Sequence, residues 1–303
     1  MTRNMWQALI VSGLVMSPQF AMVQAGGQAL PAPLSRDYRE GETISYRMSA
    51  VNEGHLKTIR YEAQANATVK RDPSGLLTEE FAWSDLIVNG QPLPLTPASR
   101  QFRQNLSLSP AYTLSVPDLS KIQPILIGPI TDLLTFYADV QLAMRQKTLL
   151  RAGDHVYVKN GTPNSWADGT YAVFGQDSID FDVTLKEVDL TAHEATLVIR
   201  HVPPVEAQIK FPATWMMAPV GTLPNNWAEV DHGGQGKYSA EVGEETFEAV
   251  IKLSLPSGRI ISAHMDNPVE VLGRDCEDAA LSKCGDPNRY RIQRQISLSA
   301  DKP

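Results

Sequence analysis

Thr58-Ile59-Arg60-Tyr61-Glu62-Ala63-Gln64-Ala65-Asn66-Ala67-Thr68-Val69-Lys70 alternates without a slip. Ile59, Tyr61, Ala63, Ala65, Ala67 and Val69 share one face, and the polar residues between them share the other. Successive side chains of a strand point to opposite faces, so this period of two reads as a long antiparallel strand with one dry and one wet side. The pattern extends outward. Before it, Ile44, Tyr46, Met48 and Ala50 alternate with Thr43, Ser45, Arg47 and Ser49; after it, the turn Asp72-Pro73-Ser74-Gly75 leads to a strand carrying Phe81 and Trp83. The three runs form a meander.

A second block has the same style. His155 to Lys159 is a short strand, and Ile179, Phe181, Val183 and Leu185 alternate with Asp180, Asp182, Thr184 and Lys186. Thr196 to Val202 pairs with that strand until Pro203-Pro204, which cannot donate to a ladder. Phe247, Ala249, Ile251, Leu253 and Leu255 follow, then the turn Pro256-Ser257-Gly258 and a strand from Ile260 to Met265. Tyr290, Ile292, Ile296 and Leu298 mark the last strand, whose dry face Arg294 interrupts.

One segment departs from this period. Pro129 to Lys147 reads as a helix, with Pro129 at its first position, Asp132 near its positive end, and Arg145 and Lys147 in its last turn. Ile130, Leu133, Leu134, Tyr137 and Met144 lie on one stripe, which Phe136, Val140 and Leu142 widen, so the helix is expected to be buried. The fold expected is mainly β (α+β): a strongly curved antiparallel sheet, or open barrel, wrapped on this one helix. Residues 42–303 form a single β-rich domain, with two lobes, 42–128 and 148–303, on either side of helix 129–147. That shape resembles the periplasmic lipoprotein carriers, a likeness resting on no motif, and fold does not fix function.

The N-terminus reads as a cleavable signal peptide over residues 1–25. Arg3 precedes the apolar run Met5 to Met16, Pro18 breaks it, and Val23-Gln24-Ala25 offers the small residues a signal peptidase reads. The run is shorter than the ~20 apolar residues of a membrane span. Cleavage after Ala25 sends the protein to the periplasm or the exterior, with no transmembrane segment in the mature chain and a flexible lead over 26–41. Acids outnumber bases, 34 to 27, and are interspersed with them, which argues against a nucleic-acid partner. Cys276 and Cys284 are the only cysteines, and in an exported chain a close pair reads as a disulfide.

No catalytic or cofactor motif stands. Asp231-His232-Gly233-Gly234 is similar to the oxyanion loop of some esterases, but the Gly-x-Ser-x-Gly nucleophile turn is missing. Asp168-Gly169-Thr170 has the letters of an aspartic-protease signature in the wrong order and reads as a turn. Asp180 and Asp182 are ordinary residues for the wet face of a strand. The six histidines show no metal-ligand spacing, so no metal and no cofactor is expected. Trp166, Trp215 and Trp227 lie in Pro- and Asn-containing connections, with Met216 beside Trp215. They either cap an open core or line a ligand mouth; Trp166, Trp215, Met216 and Trp227 are therefore the candidate ligand-binding residues.

Three classes of function follow. The leading expectation is a non-enzymatic binding protein of the envelope or exterior, holding an apolar or amphipathic small molecule between sheet and helix. The second is an envelope scaffold or assembly factor that grips a protein and takes no small ligand. The third is a hydrolase whose site is assembled from distant residues.

Overall fold

The computed structural model describes residues 27–160, 164–168, 173–206, 209–232 and 236–301, with the backbone alone at 164–168, 173 and 174. The signal-peptide reading of residues 1–25 lies outside them.

β1 (Thr43–Glu53), β2 (Thr58–Arg71) and β3 (Leu77–Val88) form the expected meander. Ala63, Ala65 and Ala67 stand opposite Met48, Tyr46 and Ile44 of β1, all on the buried face. β4 (Gln91–Pro92) and β5 (Gln104–Leu106) pair with β3, and between them lies the short helix α1 (Pro97–Gln101), capped by the Thr96 hydroxyl on the Ser99 amide.

The main helix, α2 (Pro124–Arg145), starts five residues before the expected Pro129. Pro124 occupies its first turn, where the missing N–H has no intrahelical partner to lose, and Pro129 is carried inside the helix. The apolar run Ile125-Leu126-Ile127 extends the buried stripe backward; Gly128 and Pro129 hid that continuation in the sequence. By length and composition α2 could cross a membrane. Here Leu126, Ile130, Leu133, Phe136, Tyr137 and Val140 are instead fully covered in one core with the sheet.

After α2 come β6 (His155–Val158), β7 (Asn164–Asp168), β8 (Val173–Asp177), β9 (Asp180–Asp189) and β10 (Glu194–Val202). The chain ends in β11 (Trp227–His232), β12 (Tyr238–Glu245), β13 (Phe247–Ser254), β14 (Ile260–Cys276) and β15 (Asn288–Ala300). Among the described residues all fifteen strands belong to one open antiparallel sheet. β1 pairs with β15, so the β blocks on either side of α2 share it.

The sheet divides at β14. One edge of that long strand pairs with β15; the other takes β13 along its first half and β12 along its second. From β13 one arm continues as β10, β9 and β6, and from β12 another as β11, β8 and β7. Register is unbroken across Thr246, from Glu245↔Val269 to Glu248↔Asp266. Parity therefore reports which face each side chain takes. Ala249, Ile251, Ala263 and Met265 point to the α2 core. Ala240, Val242, Leu272 and Cys276 point the other way, into a second cluster with Met216 and Leu281. The covered face thus changes sides between the arms, although Val269 and Val271 stay buried on the first face.

Residues 27–41, expected as a flexible lead, are tied to the sheet. The Leu30 amide bonds the Leu150 carbonyl at 2.7 Å, and the Arg36 guanidinium is fully buried between Glu79 and Glu42. The reason is chemical: Leu30 offers apolar area, and Arg36 neutralises a carboxylate that would otherwise be buried alone. The Cys276–Cys284 disulfide is formed, which fits an oxidising compartment.

Candidate functional site

The buried face of α2 carries polar groups as well as apolar ones: Asp132, Tyr137, Asp139 and Gln141. A buried charge is tolerated when paired and hydrogen-bonded, and the sheet and loops supply partners point by point. Asp132 receives the Arg294 guanidinium at 2.6 Å on Oδ1 and the Tyr61 hydroxyl at 2.5 Å on Oδ2. Asp139, about two turns further on, has Oδ1 2.6 Å from His201 Nε2. The His201 ring is flanked by Phe181 and Phe247, with centroids 4.8 and 4.9 Å away. The Tyr137 hydroxyl donates to Glu79, which also binds Arg36. The Gln141 amide nitrogen spans three carbonyls, those of Ser107, Ser109 and Tyr112.

Burial shifts Glu79, Tyr137 and Tyr61. It pushes the Glu79 carboxyl up even against the pull of Arg36, and with the Glu79 charge beside it raises the Tyr137 hydroxyl well above the usual phenol range. Tyr61 rises for the same reason, with Asp132 as its neighbour. Around α2, Asp139 Oδ2, Gln104 Oε1 and Trp83 Nε1 are buried without a hydrogen-bond partner. Each such atom costs about 1–3 kcal/mol, so the helix is seated less tightly than its apolar area alone implies.

The polar pairs converge where the sheet divides. Arg294 Nη1 donates to Asn267 Oδ1 at 3.4 Å, and Asn267 Nδ2 donates to Glu245 Oε1 at 3.2 Å. Asn226 bridges the gap left between β10 and β11. Its side chain accepts from the Glu245 amide and donates to the Glu245 and Ser178 carbonyls, while its backbone joins Gly243 and Ser178. Glu245 is half-buried at this junction.

The candidate ligand residues fall in different places. Met216 is fully buried in the second cluster, and Trp215 covers it, its indole donating to the Leu281 carbonyl at 3.1 Å and its ring lying under Arg274. Trp227 belongs to the opposite face of β11 from Ala228 and Val230, which join that cluster. The Trp166 side chain lies outside the described residues, as do parts of the 168–170 and 231–234 stretches. Asp180 takes the Tyr157 hydroxyl, and Asp182 pairs with His155 at 2.7 Å. Among the described residues no group of three or more His, Cys, Asp or Glu side chains is placed to hold a metal.

The wet face of the sheet holds one row of catalytic residue types. Ser297 Oγ lies 3.0 Å from His264 Nδ1, and His264 Nε2 lies 3.3 Å from Asp266. Ser297 borders a groove of about 410 Å³ with Arg47, Ser49, Glu62, Gln64 and Asp85. Ser297 is mid-sheet, paired on both sides by β1 and β14, so its own strand offers no pair of free amides to hold an oxyanion.

Sequence reasoning passed over Asp139, His201, Glu245 and Asn267. Two signals pointed there: Arg294 on a dry face, and two aspartates seven residues apart in an apolar helix.

No family model and no curated protein matches this chain. A solved structure described as "lipid-protein interactions in lipovitellin" aligns over 88% of this chain and 26% of its own, at 10% identity and a TM-score of 0.39. At that score the likeness says nothing of fold or function.

Proposed function

We infer that this is a non-enzymatic binding protein of the cell envelope or exterior, which takes an apolar or amphipathic small molecule between sheet and helix. α2 occupies that place until the ligand arrives. The observation that carries the reading is the way α2 is seated. It lies in one core with the small side chains of Ala63, Ala65 and Ala67 and is fastened at separate polar points, at Asp132, Tyr137, Asp139 and Gln141. Lifting such a helix exchanges protein hydrogen bonds for bonds to water and opens an apolar floor to a ligand. The disulfide and the expected signal peptide support the location.

Native mass spectrometry of protein from its own host tests this, together with Trp83 emission during titration with a long-chain fatty acid. A lipid-sized adduct and a shifted emission are expected. A clean apo mass with unmoved emission would overturn the reading in favour of the scaffold. The scaffold reading draws on the ends of the two arms: among the described residues β6 and β7 each have one unpaired edge, the kind that accepts a strand from another chain. The hydrolase reading draws on Ser297, His264 and Asp266, and stoichiometric labelling of Ser297 by a fluorophosphonate would put it first.

A further inference from the structure

We propose that one proton, on Glu245, sets how firmly α2 is seated: the helix is latched while Glu245 is neutral and loosened when it ionises. This rests on the reading of α2 as the resident occupant of the ligand place, and names how that place is regulated.

The geometry is one of competition. Arg294 of β15 reaches Asp132 of α2 directly, and reaches Glu245 through Asn267 of β14. His201 of β10 touches Asp139 of α2, and its ring also acts on Glu245. Arg294 therefore stands between an α2 carboxylate and a carboxylate of the sheet, while His201 holds the second α2 carboxylate beside it. From β8, Asp177 adds a negative group facing Glu245, and Asn226 holds the Glu245 main chain. When Glu245 carries a proton, Arg294 belongs to the helix. When Glu245 is charged, Arg294 is shared, and Asp132 loses part of its hold. Tyr61 then remains on Asp132 as a neutral donor.

The titration range suits such a latch. Burial pushes the Glu245 carboxyl from its ordinary 4.5 up to about 7, against Arg294, the Asn267 amide and His201, with Asp177 adding to the rise. A carboxyl raised in this way binds its proton more tightly in the seated state. For this group, seating is strongest below about 4.5 and weakens as pH rises through about 7. The same sign holds for global stability, which this group lowers over that window.

Hydrogen exchange of the α2 amides, corrected for the intrinsic chemical rate, reads the latch in the whole ligand-free protein. Between pH 5.5 and 8 the opening of residues 130–144 is expected to rise at least about tenfold in the wild type. In Glu245→Gln it is expected to stay at the low-pH value throughout. A wild-type helix with pH-independent opening, or a variant that keeps the full pH dependence, overturns the proposal. Should the variant fail to fold, carboxyl ¹³C titration of the wild type decides. One glutamate moving near pH 7 together with the Asn267 side-chain amide supports the latch, and all glutamates titrating below about 5.5 refute it. No ligand enters these measurements, so a missing lipid adduct does not touch them. A helix indifferent to pH equally leaves lipid binding to its own test.

Discussion

Where β13 leaves β14, Ala249 and Ile251 face a core holding Phe81, Phe136, Tyr137 and Leu133. Where β12 leaves the same strand, Ala240 and Val242 belong to a cluster of seven buried residues, roofed by a loop and a disulfide ring. The first arm has enough apolar area to absorb buried carboxylates and an arginine. The second has little to spare, and its cover is uncharged from Phe211 to Ala228. Small cores are held by covalent closure and large ones by area, and this sheet uses both within the length of one strand.

Breaking the larger core should have the largest effect. Phe136→Ala removes a fully buried ring and is expected to cost about 3–5 kcal/mol in urea unfolding. A loss under about 1 kcal/mol would mean α2 contributes little to the fold. The paired change Cys276→Ser with Cys284→Ser sharpens the contrast. It opens a ring of about nine residues and should cost about 2–3 kcal/mol by the loop-entropy model. The ring contains Leu281, which is 1% exposed, so the loss should appear as faster exchange in β11 and β12, with α2 unchanged. Equal loosening of α2 would make the two arms one cooperative unit. The smallest effect belongs to the wet face, where Ser297→Ala is expected to stay within about 0.5 kcal/mol of wild type in the same urea assay.

Much of the sheet was legible because period two is a direct record of burial. The residues of β2 announce themselves, and so do the hairpins around Ser74 and Ser257. The helix was legible as buried, but not its start, since Gly128-Pro129 interrupts the apolar run after Pro124 and makes Pro129 the stronger opening signal. The candidate site was harder. Arg294 showed as an interruption, yet its partner Asp132 read as a helix-end charge, and Asp139 and His201 are 62 residues apart in sequence. Pairs of that kind are set by topology, and a single sequence does not print topology. Glu245 was invisible for another reason: Tyr238–Glu245 did not read as a strand, and neither did the second half of β14 beyond Met265, against which it pairs.

The gap that Asn226 bridges has a consequence for how the second face is covered. Val202 leaves the sheet opposite Asp180, and Asn226 returns to it at Ser178, so exit and re-entry are separated by about two residues of a neighbouring strand. Joined directly, β10 and β11 would be one strand, as β12 and β13 nearly are. The stretch between them is an excursion from the sheet, and its Met216 anchors a roof over the face formed by Ala240, Val242 and Leu272. The disulfide ring closes over the same face through Leu281, so excursion and ring act as one lid.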